Sequence, residues 1–88
     1  MTDQTSRSEL LLGDAARGFV GTIKALTSGP EGSASNDLER RLVEMGFTEG
    51  ARVEILHEGA ISRDPIAVRI DNVTMALRRR EALAIVVQ

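Results

Sequence analysis

The chain has 88 residues, enough for one small domain with a single hydrophobic core. It contains no cysteine, which excludes disulfides, thiolate metal sites and cysteine nucleophiles. The formal net charge is −2 and only two residues are aromatic, which argues against non-specific binding of nucleic acid. No apolar run approaches the roughly 20 residues that span a bilayer, and the polar start lacks the pattern of a signal peptide. We therefore expect a cytoplasmic protein without direct membrane insertion.

The first third of the chain predicts one strand between two irregular segments. Residues 1–9 are polar and predict a disordered tail, because they offer no apolar surface to offset the entropy of ordering. β-Branched residues within 20–23 favour a strand, where Gly18 and Gly21 indicate a bend or bulge approached closely by another strand. Residues 27–36 are dense in Gly, Ser, Pro and Asn and predict a flexible loop.

A short amphipathic helix is expected next. Asn36 and Glu39 have the spacing of a capping box, which predicts that the helix begins at Asp37. Its apolar face is formed by residues at helical spacing, namely Leu38, Leu42 and Met45. Met45 is therefore interpreted as a core residue rather than a soft metal ligand.

The end of this helix is marked by two glycines. Gly46 is expected to adopt a left-handed conformation that ends the helix, with Phe47 folding back onto Leu42 as in a Schellman motif. Gly50 supplies the turn before the next strand.

The second half of the chain predicts short strands joined by turns. The expected order is a strand at 52–58, a loop at 59–65, a strand at 66–70, a tight turn at Asp71-Asn72, a strand at 73–79, a helical turn at 80–84 and a closing strand at 85–87. Such strands favour a small barrel, because closure removes unpaired edges. The predicted fold is therefore mainly β, with about five strands and one short α-helix.

The sequence offers little catalytic chemistry. No Ser, His and Asp set and no phosphate-binding glycine motif can be assigned, so no enzyme is expected. The run Arg78-Arg79-Arg80 is interpreted as a solvated strand end in preference to an anion patch, because consecutive strand residues point to opposite faces.

The only histidine leaves two interpretations open. His57 is either an ordinary strand residue or a ligand for a divalent metal, assisted by Glu58 or Asp64. No cofactor is required on this interpretation, and the metal would be iron or zinc in a weak, open site.

Three groups of residues together resemble the FeoA family of small cytosolic proteins associated with ferrous iron transport. The family's Leu-x-x-x-Gly-hydrophobic-Thr-x-Gly corner is matched by Leu42, Gly46, Phe47, Thr48 and Gly50. Its Asp-Pro is matched by Asp64 and Pro65, and its Ala-Leu-Arg by Ala76, Leu77 and Arg78. Two features depart from the family pattern: Arg63 stands where a glycine often precedes Asp-Pro, and the loop at 27–36 looks long.

The resemblance implies that residues 10–88 form one SH3-like domain. It also implies an accessory protein without catalysis of its own, which acts with FeoB, a membrane ferrous iron transporter whose cytosolic part is a G domain. A related SH3-like domain occurs in iron- and manganese-dependent repressors, but no helix-turn-helix segment precedes the domain here.

The corner from Leu38 to Gly50 is the expected partner-binding surface, because the family match is densest there. The candidate contact residues are Leu38, Arg40, Arg41, Met45 and Phe47. Three alternatives stay open: the corner is only a tight structural passage, the chain is a divalent metal-binding or metal-sensing module, or it is an SH3-type peptide adaptor. The last is disfavoured, because grooves for proline-rich peptides are lined by aromatic rings.

Overall fold

The computed structural model describes residues 9–27 and 35–88. Six strands are present in this part of the chain: β1 (Leu10–Leu11), β2 (Val20–Leu26), β3 (Arg52–Ile61), β4 (Asp64–Ile70), β5 (Val73–Leu77) and β6 (Ile85–Val87). Two helices accompany them, α1 (Ser35–Glu44) and α2 (Arg79–Ala82), and a 3-10 turn, Leu12–Asp14, follows β1. The prediction of a mainly β fold with one short amphipathic helix is confirmed. The described strands number six rather than about five, because the two-residue β1 carries almost no sequence signal.

The strands form one antiparallel sheet in the order β1-β6-β2-β3-β4-β5. Strand β2 has different partners along its length: Val20–Thr22 pair with β3, and Ile23–Leu26 pair with β6. The register shifts between Ile23 and Ala25, so the change of partner coincides with a bulge. A Cβ at Gly21 would collide with the carbonyl oxygen of Gln88. The close approach predicted at Gly18 and Gly21 is therefore present at Gly21 but not at Gly18, where a Cβ would meet open space.

Apart from the aromatic ring of Phe47, the core is aliphatic, and it contains no buried polar or charged side chain among the described residues. Alternate residues of β3, β4 and β5 point inward, as their period-2 pattern predicts: Val53, Ile55, Ile66, Val68, Ile70 and Leu77. Residues from β2, α1 and β6 complete the same cluster, including Ile23, Leu38, Leu42 and Ile85. Full burial of each large aliphatic side chain contributes roughly 1.5–3 kcal/mol.

Helix α1 begins earlier than the sequence predicts. Its first residue is Ser35, whereas a start at Asp37 was expected. Asn36 therefore lies inside the helix and does not flank it. The predicted tail at 1–9 lies outside the described residues except for Glu9, whose carboxylate is 3.4 Å from the ammonium of Lys24. Most of the predicted loop at 27–36 also lies outside them.

The predicted loop at 59–65 is wrong. Strand β3 continues to Ile61 and β4 begins at Asp64, so only Ser62 and Arg63 connect them. Both connecting residues have positive φ, 58° and 56°, as a two-residue type I′ hairpin requires. The prediction failed because this turn lacks the Asn-Gly or Asp-Gly pair that normally marks it in sequence.

The predicted turn at Asp71-Asn72 joins β4 to β5, as expected, and Asp71 has a φ of 54°. Strand β5 ends at Leu77, two residues before the expected end, because α2 begins at Arg79. No helix in the described residues is long and apolar enough to cross a membrane.

Candidate functional site

The C-terminal end of α1 is fixed by a Schellman motif. Gly46 has a φ of 104°, and its N–H donates to the carbonyl of Val43 at 3.0 Å. The N–H of Phe47 donates to the carbonyl of Leu42 at 2.9 Å. Both Leu42 and Phe47 are buried in the core cluster, which supplies the apolar contact of this motif. The predicted helix end is confirmed in each of these respects.

The chain that follows α1 is anchored on β2. Gly50 has a φ of 88°, as its predicted turn requires, and its N–H donates to the carbonyl of Ile23 at 2.8 Å. The N–H of Ile23 in turn donates to the carbonyl of Ala51 at 2.9 Å. The passage from α1 to β3 is therefore held by backbone bonds at both of its ends.

The outer face of α1 is the accessible surface of this corner. Glu39, Arg40, Val43 and Glu44 line a shallow depression there. Val43 is 45% exposed, although large apolar side chains usually lie in the core. The depression thus combines one exposed apolar side chain with charges of both signs. We call these four residues the α1 outer face.

The candidate contact residues divide between core and surface. Leu38 is 7% exposed and Phe47 is 0% exposed, so neither offers a surface to a partner. The sequence pattern predicts them as contacts because it does not separate the residues that support the corner from those exposed on its surface. Met45 is half-buried against the core, whereas Arg40 and Arg41 are exposed.

Arg41 links the two helices. One guanidinium nitrogen lies 3.0 Å from a carboxylate oxygen of Glu81 in α2, and the Arg41 side chain remains 60% exposed. Ion pairs at such exposure contribute about 0–1 kcal/mol. Arg41 is thus available to a partner at little cost to the fold.

The other family-motif residues lie around the β3–β4 hairpin and the end of β5. Leu77 is buried, Pro65 is exposed, and the Asp64–Pro65 peptide bond is cis. Asp64 accepts a hydrogen bond from the backbone N–H of Arg79 at 2.9 Å. Arg78 is exposed, and its backbone N–H donates a hydrogen bond to the carboxylate of Glu81 in α2.

Arg79 is the residue that sequence reasoning missed. Its side chain donates to the carbonyls of Arg63 at 2.7 Å, Gly13 at 3.1 Å and Ala15 at 2.7 Å. It also forms an ion pair with Glu58 at 2.9 Å and is only 16% exposed. Its interpretation as part of a solvated strand end is therefore wrong. We call these interactions, with the Asp64 bond, the Arg79 clamp.

The predicted metal ligands do not form a metal site in this arrangement. Glu58 and Asp64 both bind Arg79, and His57 is exposed. The part of the chain that the structure describes contains no group of three or more His, Cys, Asp or Glu side chains that could hold a metal. A bound cation would have to compete with the guanidinium for Glu58.

The family-level comparison agrees with this arrangement. The model of the FeoA domain matches residues 10–88, nearly the whole described chain. The chain belongs to the FeoA family. This family is associated with ferrous iron transport. No curated protein is significantly similar to the chain in sequence.

Solved structures of FeoA proteins share the fold. Iron(II) transport protein A from Clostridium thermocellum is 34% identical with a TM-score of 0.73, over 90% of this chain and 44% of that one. FeoA from Stenotrophomonas maltophilia, solved with zinc, is 24% identical with a TM-score of 0.75, over 90% of this chain and 89% of that one. The predicted SH3-like fold is confirmed.

The same fold occurs outside transport. A manganese-dependent transcriptional repressor is 24% identical with a TM-score of 0.74, over 91% of this chain and 41% of that one. At this identity the likeness shows the fold alone. The fold is therefore also present in part of a larger protein.

Proposed function

We propose that this FeoA-family chain is a non-catalytic accessory of ferrous iron uptake that binds the cytosolic G-domain region of a FeoB-type transporter. It would act at the cytosolic side of the membrane and regulate transport. The observation that carries the proposal is the α1 outer face, an exposed valine with a charged rim on a helix fixed at its C-terminal end. Membership of a family associated with ferrous iron transport supports the choice of partner.

The contact residues of the proposal differ from those expected from sequence. Val43 is the apolar contact of the proposal, because it is 45% exposed and its burial would remove apolar surface from water. Arg40 and Arg41 flank it as rim charges, which act mainly on orientation and association rate. Leu38 and Phe47 support the helix from the core side.

The test measures binding of the isotope-labelled protein to the cytosolic region of its cognate transporter. We expect amide shifts to cluster on residues 38–50. The variant Val43→Asp should abolish binding, and Arg40→Glu should lower the association rate by about tenfold with a weaker salt dependence.

Arg69→Glu is the matched control, because Arg69 is an exposed arginine that lies on β4 and not on α1. The Arg69→Glu variant should leave the association rate within about twofold of wild type, if electrostatic steering of the partner acts at α1. Shifts confined to the strands, or equal effects of the two charge reversals with both folds intact, would reject α1 as the interface. Cells that depend on the wild-type chain for iron uptake should take up less iron when they carry the Val43→Asp variant instead.

The metal-binding alternative has weaker support in this chain. The zinc-complexed S. maltophilia protein shares the fold, but its identity of 24% transfers no ligands. Of the three candidates here, only His57 is not engaged by Arg79. Calorimetric titration with ferrous iron or zinc tests this function directly. Equal heats for wild type and His57→Ala would exclude His57 as a ligand.

A further inference from the structure

We propose that β5 is a self-pairing edge, through which two copies of the chain join antiparallel into one continuous sheet. Strand β5 is last in the sheet order and pairs only with β4 among the described strands. The other terminal strand, β1, has two residues, whereas β5 has five. The proposal concerns a second copy of this chain and is independent of any transporter.

The alternation of hydrogen-bonded and non-hydrogen-bonded pairs in the β4–β5 hairpin shows which backbone groups of β5 point away from β4. A two-residue turn at Asp71-Asn72 makes Ile70 and Val73 a hydrogen-bonded pair. Alternation then directs the N–H and C=O groups of Thr74 and Ala76 away from β4. Within residues 9–27 and 35–88, no hydrogen bond engages these four outward groups.

The edge also lacks the features that usually block strand addition. Natural edge strands are protected by charged side chains, proline, bulges or short length. The sequence of β5 is VTMAL, with no charge and no proline. Its register with β4 is regular over all five residues. Among the described residues, β5 is thus a regular strand edge without these protective features, to which another strand can pair.

One register of the two β5 strands both pairs the outward backbone groups and brings apolar side chains together on the core-facing side. Thr74 of one copy lies opposite Ala76 of the second copy, so their outward groups form hydrogen-bonded pairs. On the core-facing side, Val73 then lies opposite Leu77 of the second copy, and Met75 opposite its counterpart. Val73 is 56% exposed in the single chain, and this register covers it with apolar neighbours.

Charge selects this register over its neighbours. Here Arg78 lies opposite Asn72 of the second copy, beside the acidic Asp71. A two-residue slip in one direction places Arg78 opposite Thr74, whose β4 neighbour is Arg69, so two arginines approach. The opposite slip places Leu77 opposite Asp71. The pairing is isologous, with a two-fold axis at Met75.

The interface is small, so a weak and reversible dimer is expected. Stable interfaces bury at least about 1,200 Å², and a five-residue edge provides less than that. Dissociation constants between about 0.1 and 1 mM are appropriate for such contacts. The dimer should therefore form on concentration rather than at high dilution.

The test combines sedimentation with amide hydrogen exchange of the labelled chain from about 0.05 to about 1 mM. The weight-average mass should rise toward two copies. Protection should increase selectively at the amides of Thr74 and Ala76, since only these β5 donors gain partners. The N–H of Met75 is engaged by β4 in a single chain and should change by less than about twofold.

Two edge variants with matched controls separate strand pairing from other association. Ala76→Pro removes an outward N–H that β4 does not use, so the fold is retained. Thr74→Lys places a charge on the edge. Each should raise the dissociation constant at least about tenfold. Ala76→Ser keeps the donor and should dimerise like wild type. Thr48→Lys adds the same charge at an exposed threonine outside β5 and should also dimerise like wild type.

Three results would overturn the proposal. The first is a wild-type chain that stays monomeric at about 1 mM. The second is a dimer in which protection rises elsewhere and not at Thr74 and Ala76. The third is a dimer that Thr74→Lys leaves unchanged, since this exposed position tolerates lysine without loss of the fold.

Discussion

At the scale of single residues, Arg79 joins segments that are far apart in sequence. Its guanidinium reaches the carbonyls of Gly13 and Ala15 after β1, the carbonyl of Arg63 in the hairpin, and the carboxylate of Glu58. Only arginine presents five donors in a planar fork, so one side chain can meet acceptors in several directions. The position therefore requires the geometry of arginine as well as its charge.

Arg79→Lys should lower the free energy of unfolding by about 2 to 4 kcal/mol, because lysine cannot reach all of these acceptors and leaves half-buried oxygens unpaired. Urea denaturation measures the change. Arg78→Lys, at the exposed neighbouring position, is the control and should shift stability by about 0.5 kcal/mol or less. Similar values for both variants would show that Arg79 is not a clamp.

The clamp could not be found in the sequence, although its chemistry was visible there. The sequence interpretation places the three consecutive arginines at a strand end, where side chains alternate between faces. The strand ends at Leu77 and a helix begins at Arg79, so the backbone direction changes within the run. The sequence predicts this helical turn only from residue 80, because one turn is too short for periodicity to fix its first residue. The middle arginine was thus indistinguishable from its neighbours.

At the scale of elements, α1 separates a buried face from an exposed one. Leu42 is 1% exposed, and Leu42→Ala should cost about 2 to 5 kcal/mol through the cavity that it leaves. Val43→Ala, one residue later and 45% exposed, should change the free energy of unfolding by about 0.5 kcal/mol or less. Thermal or urea unfolding of both variants checks this contrast. A small effect at Leu42 would contradict the packing of α1 on the core.

In the β3–β4 hairpin, one substitution is expected to raise stability. Arg63 has a φ of 56°, a conformation that costs a non-glycine residue about 1 kcal/mol. Its carbonyl serves the Arg79 clamp, but its side chain makes no described contact, so Arg63→Gly keeps the clamp intact. We expect stability to rise by about 0.5 kcal/mol.

Arg69→Gly, at an extended position in β4, is the control for this substitution. It should lower stability by about 1 kcal/mol, because glycine weakens a strand. Destabilisation of equal size at Arg63 and Arg69 would show that the hairpin stores no backbone strain.

The elements that sequence predicted well are those with a long apolar pattern or a marked turn. The face of α1, the inward residues of β3 and β4, and the ends at Gly46 and Gly50 all follow from periodicity and glycine placement. The hairpin at Ser62 and Arg63 was missed because a non-glycine residue can be held at positive φ by its surroundings. Tertiary contacts, which no local sequence pattern records, keep these two residues at positive φ.

At the scale of the whole molecule, β2 joins the two parts of the sheet. Its first half extends the β3–β4–β5 meander and its second half pairs with β6, which pairs in turn with β1. Sequence alone could not give this order, because β6 lies about sixty residues from β2 and strand pairing over such separations leaves no local signal. The composition was informative here: without cysteine, the sheet depends on packing and long-range hydrogen bonds.

The Arg79 clamp has a kinetic consequence. Its acceptors at Gly13 and Ala15 are 66 and 64 residues away, so the clamp closes only after both ends of the chain have met. Contacts made after the transition state slow unfolding without speeding folding. Arg79→Lys should therefore leave the folding arm of a chevron plot within about twofold of wild type and accelerate unfolding about 30-fold per 2 kcal/mol lost. A folding rate that falls in the same proportion would place the clamp in the folding nucleus. On the expected outcome, this one side chain sets the lifetime of the folded state.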